Sequence, residues 1–431
     1  MIRHTAGLIL VFLAAASCFC QEASGPDPKA RRKAAKEMVQ QGSAAIPNLK
    51  EMLSDPDLEA RIEAVKSIVA IGTHHSLDPL IQATRDNDPE IQVRATDGLV
   101  NFYVPGYIKT GLTASLKRAG NTVTGKFTDN NDLVVDPYID VRPDIIEALG
   151  KLVRGGSSME SRANAARAAG ILRAKAVVPE LLEAIRTKDT QVIYECLVAL
   201  QKIGDRAAGP KIAFLLRDLD EKVQVAAIEA AGLLGNRDAL GQLREVLART
   251  GSKKVRRATL ASIALLPDSV NRDLFLQYLA DKDDELRESA AEGLGRIGTP
   301  SDIPLLEKAF AEEKKNAPRV SAAFALVLMG RTEISEFSPL QYVINSLNSS
   351  FRAGEARALL IEAARKPEVR KALHESLARG TRDEKTQLAR VLAQSGDRDS
   401  IAYLEPLTRD PDTDVAQEAI RALRALKTRL P

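Results

Sequence analysis

The stretch VVPELLEAIRTKDTQVIYECLVALQKIG, Val177 to Gly204, decides the fold. Its first part sets Val178, Leu181, Leu182 and Ile185 at the i, i+3, i+4, i+7 spacing of a helix with one buried face. Its second part repeats the stripe with Val192, Cys196, Ala199, Leu200 and Ile203, so two short amphipathic helices follow one another. Pro179 stands early in the first, where its missing N–H costs nothing. Gly204 follows the second, where a positive φ ends a helix.

The same plan recurs along the chain. Glycines at 72, 106, 170, 204, 235, 298, 330 and 396 are separated by 34, 64, 34, 31, 63, 32 and 66 residues, each close to one or two units of a common period. A period in this range marks a repeat array whose length is repeat number, not several globular domains. Between the helices of a pair acids recur: Asp55-Pro56-Asp57, Asp88-Pro89, Asp218 and Asp220, Asp281 and Asp283, Asp410-Pro411-Asp412. An aspartate there accepts the free N–H groups that open the second helix and suits its positive end, with proline at the first helical position. A basic residue follows the first apolar anchor of several second helices, at Arg61, Arg94, Arg256 and Arg287. It serves either as a basic stripe for an acidic partner or as one half of Asp-to-Arg pairs between stacked repeats. Exposed pairs contribute about 0 to 1 kcal/mol, against about 1.5 to 3 kcal/mol for a buried aliphatic side chain. Aliphatic stacking is therefore expected to hold the array together. The core must be aliphatic, because aromatics are only 4% of the chain and tryptophan is absent.

The pattern P-x-L-x-x-x-L, D-x-D-x-x-V-R, A-A-x-A-L-G-x-I-G is nearly complete in Pro304–Phe310 (PLLEKAF) and Asp281–Gly298 (DKDDELRESAAEGLGRIG). It resembles HEAT repeats of the short bacterial kind, also found in phycobilisome-lyase-like proteins. The resemblance covers nearly the whole chain after its first residues. It implies an all-α, right-handed α-α superhelix (a HEAT-repeat solenoid) of about twelve helix pairs. The Thr-Pro-Leu-His of ankyrin repeats and the Trp/Leu-Gly/Tyr pattern of tetratricopeptide repeats are missing from the sequence.

The rhythm breaks after Gly106. Tyr107–Tyr138, YIKTGLTASLKRAGNTVTGKFTDNNDLVVDPY, has no helix pair and is rich in Thr, Gly, Asn and Asp. It reads as an irregular insertion with β-like fragments at Asn121–Phe127 and Leu133–Val135. Phe102, Tyr103, Tyr107, Phe127 and Tyr138, five of the seventeen Phe and Tyr residues, lie in or beside it, with Lys109, Lys117, Arg118 and Lys126. Insertions in repeat arrays map to one face, often the binding face. Tyr103, Tyr107, Lys117, Arg118 and Phe127 are therefore the candidate partner-binding residues. The alternative is a flap whose rings cover core between neighbouring repeats. Residues 333–362 read as a drifted repeat with weakened caps.

The first residues, MIRHTAGLILVFLAAASCFC, have Arg3 and His4, an apolar run from Ala6 to Ala16, then small residues, the layout of a secretory signal peptide over 1–20. Cleavage after Cys20 is favoured. Cleavage before Cys18, leaving a lipid anchor on that cysteine, is the alternative. The expected organisation is signal peptide 1–20, linker 21–36, repeats 37–106, insertion 107–138 and repeats 139–431, in a periplasmic or secreted protein. No segment approaches the length of a membrane span. A formal charge of +3, from 61 basic and 58 acidic residues, gives no global pull toward nucleic acid.

No phosphate-cradling loop, nucleophile elbow or zinc helix appears. Of four histidines, His4 lies in the leader, His74 and His75 at a repeat junction, and His374 beside Glu375. His374-Glu375 resembles the His-Glu pairs of HEAT-like deoxyhypusine hydroxylases, which need several such pairs to hold iron. No cofactor, metal site or catalytic residue is therefore expected, and Cys196 in its aliphatic stripe reads as a small core residue. The expected function is a non-enzymatic exported scaffold that binds another protein through its concave face and the insertion. Its alternatives are a lyase-like or other enzyme accessory protein, or envelope or carbohydrate binding through the insertion.

Overall fold

The computed structural model describes residues 27–108, 133–349 and 353–430. Chain contacts divide it into two compact units: residues up to Val135 with Ile139–Lys211, and Asp136–Tyr138 with Ile212–Pro431.

The first unit holds α1 (Pro28–Glu37), α2 (Ile46–Met52), α3 (Leu58–Ile71), α4 (Leu77–Ala83), α5 (Pro89–Tyr103), α6 (Pro143–Gly155), α7 (Met159–Ile171), α8 (Val178–Ala184) and α9 (Thr190–Ile203). A 3-10 helix, Arg206–Arg217, follows. The second unit then runs through α10 (Glu221–Leu233), α11 (Leu240–Arg249), α12 (Lys253–Ala264), α13 (Arg272–Tyr278), α14 (Asp284–Ile297), α15 (Ile303–Glu312) and α16 (Asn316–Leu328). It ends with α17 (Pro339–Asn345), α18 (Ala353–Ala363), α19 (Pro367–Arg379), α20 (Arg382–Ser395), α21 (Arg398–Leu404) and α22 (Thr413–Arg429). Counting the 3-10 helix as a first member, eleven pairs follow α1 among the described residues. The drifted stretch 333–362 supplies one of them, α17 with α18.

In each unit the second helices form one layer, each packed on the next: α3, α5, α7 and α9 in the first, α10 through α22 by alternate helices in the second. The buried stripe is aliphatic. In α9 it is Val192, Cys196, Leu197, Ala199 and Leu200, all 1% exposed or less. Gly204 ends that helix at φ 72°, and its N–H returns to the Leu200 carbonyl at 3.0 Å.

The turn inside each pair explains the recurring acids. Asp57, Asp88, Asp189, Asp220, Asp283 and Asp412 are N-caps whose carboxylates accept backbone N–H groups of the helix they open. The acid two residues earlier has a second task. Asp55 accepts the N–H of Asp57 at 2.8 Å and also Nε of Arg31 on α1 at 2.6 Å. Asp86 does the same for Asp88 and Arg61, and Asp410 for Asp412 and Lys385. These are the Asp-to-Arg pairs between stacked repeats. Arg61 and Arg287 each also donate to the carbonyl six residues back, so one guanidinium ties its own turn to the next repeat. Arg94 instead pairs with Glu90 on its own helix, and Arg256 reaches only the Thr250 carbonyl.

The expectation of a β-containing insertion is corrected. Among the described residues there is no strand. Leu133–Val135 is irregular chain laid against helix ends: the Val135 N–H donates to the Ile171 carbonyl at 2.8 Å, and the Leu133 carbonyl accepts Nζ of Lys202 at 3.3 Å. With those groups bound to helix ends and side chains, no ladder forms. Asn121–Phe127 lies outside the described residues. The helix stack passes the insertion unbroken, because α5 packs directly on α7. Ser157 donates through N and Oγ to Oε1 of Gln92 at 2.9 Å each, and Nδ2 of Asn164 reaches Oδ1 of Asp97 at 3.0 Å.

Candidate functional site

Polar side chains of the second-helix layer converge in two places, one in each unit.

In the first unit α5, α7 and α9 bring together Asp97, Asn164, Arg167, Gln191 and Glu195, with Tyr107 arriving from the insertion. Arg167 donates to both oxygens of Glu195, at 2.7 and 3.1 Å, and to Oδ1 of Asn164 at 3.2 Å. Gln191 Nε2 adds a bond to Glu195 at 2.7 Å. Burial disfavours the charge on Arg167, but Glu195 and the Tyr107 hydroxyl outweigh it and hold its pKa above the ordinary value. Burial, then the charge of Asp97, pushes the Tyr107 hydroxyl up to about 12. The network is satisfied within the chain.

Of the five residues singled out from the sequence, Tyr103 and Tyr107 are half-buried and pack against the core of the first unit. The Tyr103 hydroxyl accepts the Arg142 N–H at 3.2 Å. Phe102 sits edge-on to Tyr103 at 5.1 Å and to His74 at 4.8 Å. Lys117, Arg118 and Phe127 lie outside the described residues, as does Cys18.

In the second unit Arg296 of α14 reaches over α16 to grip Glu362 of α18 with two bonds of 2.8 Å each, while Glu292 holds its third nitrogen at 2.9 Å. Ser321 of α16 donates to the other oxygen of Glu292 at 3.0 Å, and the Arg296 guanidinium lies 5.3 Å from the Phe324 ring centre. One helical turn before Glu292, Glu288 is half-buried. Burial, followed by the charges of Glu355 and Glu292, pushes its carboxyl up to about 8. A carboxyl that keeps its proton at neutral pH, among other acids on one face, is a recognised mark of a chemical site. The sequence reading missed it because the residues lie on three helices whose side-chain directions only the stack reveals.

The remaining candidates are structural. His374 is buried on α19, stacked on Tyr403 at 4.3 Å, with Nε2 2.8 Å from Oγ of Ser400. Ser400 is fully buried and also bonds Asp397, so this Asp-Ser-His set fastens α21 to α19. Cys196 is fully buried and burial pushes its thiol up, the reverse of what a nucleophile needs. The basic run at 253–257 is paired within its unit: Lys253 and Arg257 with Asp283, Lys254 with Glu221. No group of three metal-ligating side chains converges among the described residues. No helix among them is long and apolar enough to cross a membrane.

Layered helix pairs with aspartate-capped turns define a helical-repeat protein. The profile of HEAT repeats matches residues 18–99 and 241–327. Those two stretches are HEAT repeats. The chain is 28% identical over 200 residues to a phycocyanobilin lyase subunit alpha of Nostoc sp. strain PCC 7120, covering 44% of this chain and 71% of that protein. It is 33% identical over 163 residues to the protein of the same name in Synechocystis sp. strain PCC 6803, covering 35% and 60%. Among solved structures, the complex of CpcE and CpcF of phycocyanin lyase from Nostoc sp. PCC7120 is similar with a TM-score of 0.39 at 20% identity, covering 62% of this chain and 92% of that one. The sequence relatives bear on one expectation directly: that of a chain without an enzymatic role is corrected, since proteins similar to it are named as subunits of a lyase.

Proposed function

We propose that this chain is a lyase-type HEAT-repeat subunit that acts on another protein, with the face around Glu288 as its working surface. The observation that carries the reading is the similarity to phycocyanobilin lyase alpha subunits, at 28% and 33% identity over 200 and 163 residues. The acids of α14 and α18 support it. A neutral carboxyl donates a hydrogen bond or a proton, which suits the lactam carbonyls and imine nitrogen of a linear tetrapyrrole.

The test is titration of phycocyanobilin into the purified chain, followed by visible absorbance. The expected result is a saturable spectral shift that weakens above pH 8, where Glu288 ionises, and weakens at every pH in Glu288→Ala. No saturable shift over a pigment excess would overturn the lyase reading, and protein capture in that case would return the chain to the scaffold class. We also propose export, on the layout of residues 1–20. A mature N-terminus at Gln21, or at a lipid-bearing Cys18, in the extracytoplasmic fraction supports it. An intact Met1 in the cytoplasm overturns it.

A further inference from the structure

One helix of the first unit closes on a residue that its backbone conformation disfavours. Behind other second helices, Gly72, Gly204, Gly235, Gly298 and Gly330 stand at a positive φ, which glycine adopts without steric cost. Arg173, behind α7, stands at φ 50°, the one residue other than glycine with a positive φ among the described residues. It closes the helix as glycine does: its N–H returns to the Gly170 carbonyl at 3.1 Å, and the N–H of Ala174 to the Ala169 carbonyl at 2.9 Å. Gly235 and Asn236 make the same two bonds behind α10, to Gly232 and Ala231. The backbone therefore favours glycine at 173, and an arginine there lowers stability. No bond of its side chain offsets that loss, because the guanidinium is exposed and makes no hydrogen bond or ion pair among the described residues.

The side chains around it carry charge of the same sign. Lys175, two residues past Arg173, and Arg206, two residues past Gly204, open the 3-10 turns that follow α7 and α9. Both are exposed and unpaired among the described residues. Lys202, in the last turn of α9, lies over the end of α7: its Cδ is 3.4 Å from the place a Cβ on Gly170 would take, and its Nζ donates to the Leu133 carbonyl. Asp205, beside Arg206, is turned to the backbone and accepts the Ala207 N–H at 3.1 Å. The opposite edge of the unit, at the turns inside the pairs, differs: Asp55, Asp57 and Asp86 there are each matched with an arginine. The unit neutralises one edge internally and leaves cations on the other. Lys175 and Arg206 hold equivalent places behind packed helices, so they stand about 8 to 10 Å apart along that edge. Three residues of extended chain cover the same distance, at about 3.3 Å each.

We propose that Arg173, with Lys175 and Arg206, docks an acidic, extended segment of a partner protein laid across the ends of α7 and α9, with its carboxylates three residues apart. An arginine kept where glycine is the stable choice is a position held for its side chain, and the planar guanidinium is the cation that grips a carboxylate with two bonds. This surface is independent of the lyase reading and holds whether or not the chain binds a pigment.

The probe is a fluorescein-labelled, capped peptide Glu-Ser-Gly-Glu-Ser-Gly-Glu, titrated into the full chain and followed by anisotropy. The peptide with glutamine at all three glutamates is the control for charge, and Glu-Glu-Glu-Ser-Gly-Ser-Gly the control for spacing. The expected result is saturable binding of the spaced peptide, no binding of the glutamine peptide and weaker binding of the clustered one. Arg173→Gln, which removes the charge and keeps the backbone, should lose about tenfold in affinity. Arg206→Gln should lose less, and Arg85→Gln, in the turn between α4 and α5, should bind as the wild type. Arg173→Gly gives the readout that a purely structural residue would not: it should lose the peptide while melting about 2 to 4 °C above the wild type. Absence of binding, equal binding by Arg173→Gln, equal binding of the clustered peptide, or a melting temperature of Arg173→Gly below that of the wild type would overturn the proposal. A single-stranded oligonucleotide of equal charge that binds as tightly would overturn it too. So would binding that appears only when residues 109–132 are replaced by a Gly-Ser linker, by making the chain's own insertion the occupant.

Discussion

His374 shows how one buried side chain couples this fold to pH. Its ring is stacked on Tyr403, hydrogen-bonded to Ser400, and within the fields of Asp397, Asp399 and Arg370. Burial lowers its pKa below the ordinary 6.5, and the nearby acids only partly oppose this. The neutral ring is thus the native form, and unfolding takes up a proton wherever the pH lies between the folded value and 6.5. The contribution is full above that pH and is lost as pH falls through the window. Urea denaturation of wild type and His374→Gln at pH 7.5 and pH 5 should show the wild type losing more stability between the two. Parallel losses would mean that His374 does not titrate on unfolding. The cap aspartates, by contrast, were legible from sequence because a cap is a bond between residues two or three apart. The Arg167–Glu195 and Arg296–Glu362 pairs span 28 and 66 residues and were not.

At the scale of the element, the glycine rhythm read correctly as a period but mixed two physical causes. Gly204 stands at a positive φ and closes α9. Gly170 lies inside α7, and a Cβ there would stand 2.7 Å from Cα of Ala199 on α9. It is absent so that two second helices can approach, as at Gly295, where a Cβ would stand 2.5 Å from Cα of Ala325. Gly170→Ala should therefore destabilise the first unit by about 1 to 3 kcal/mol, the usual cost of overpacking, although alanine is the better helix former. A melting temperature equal to or above that of the wild type would show that α7 and α9 separate freely. Sequence alone does not distinguish the two uses, because spacing reports where a glycine recurs and not which neighbour's backbone lies against it. The β-like reading of Leu133–Val135 failed for a related reason: its composition suits extended chain, but its hydrogen-bond partners are helix ends.

For the molecule as a whole, the insertion is an excursion from a stack that does not need it for register. Gln92 and Asp97 of α5 bond Ser157 and Asn164 across it, so α5 and α7 meet as adjacent repeats do elsewhere. Its two ends have a different standing: Tyr103, Tyr107, Val135 and Val141 pack into the same core as Leu99, Ile145 and Leu149. Stability should therefore divide between ends and middle. Replacing residues 109–132 by a flexible Gly-Ser linker should leave the melting temperature within a few degrees of wild type, since loop closure changes by only about 0.6 kcal/mol per doubling of length. In that background, Val135→Ala with Val141→Ala should lower stability by about 1 to 3 kcal/mol. Calorimetry of the three proteins decides it. A large drop on replacing 109–132 alone would assign the middle of the insertion to the core. No drop on truncating the two valines would remove the ends from it.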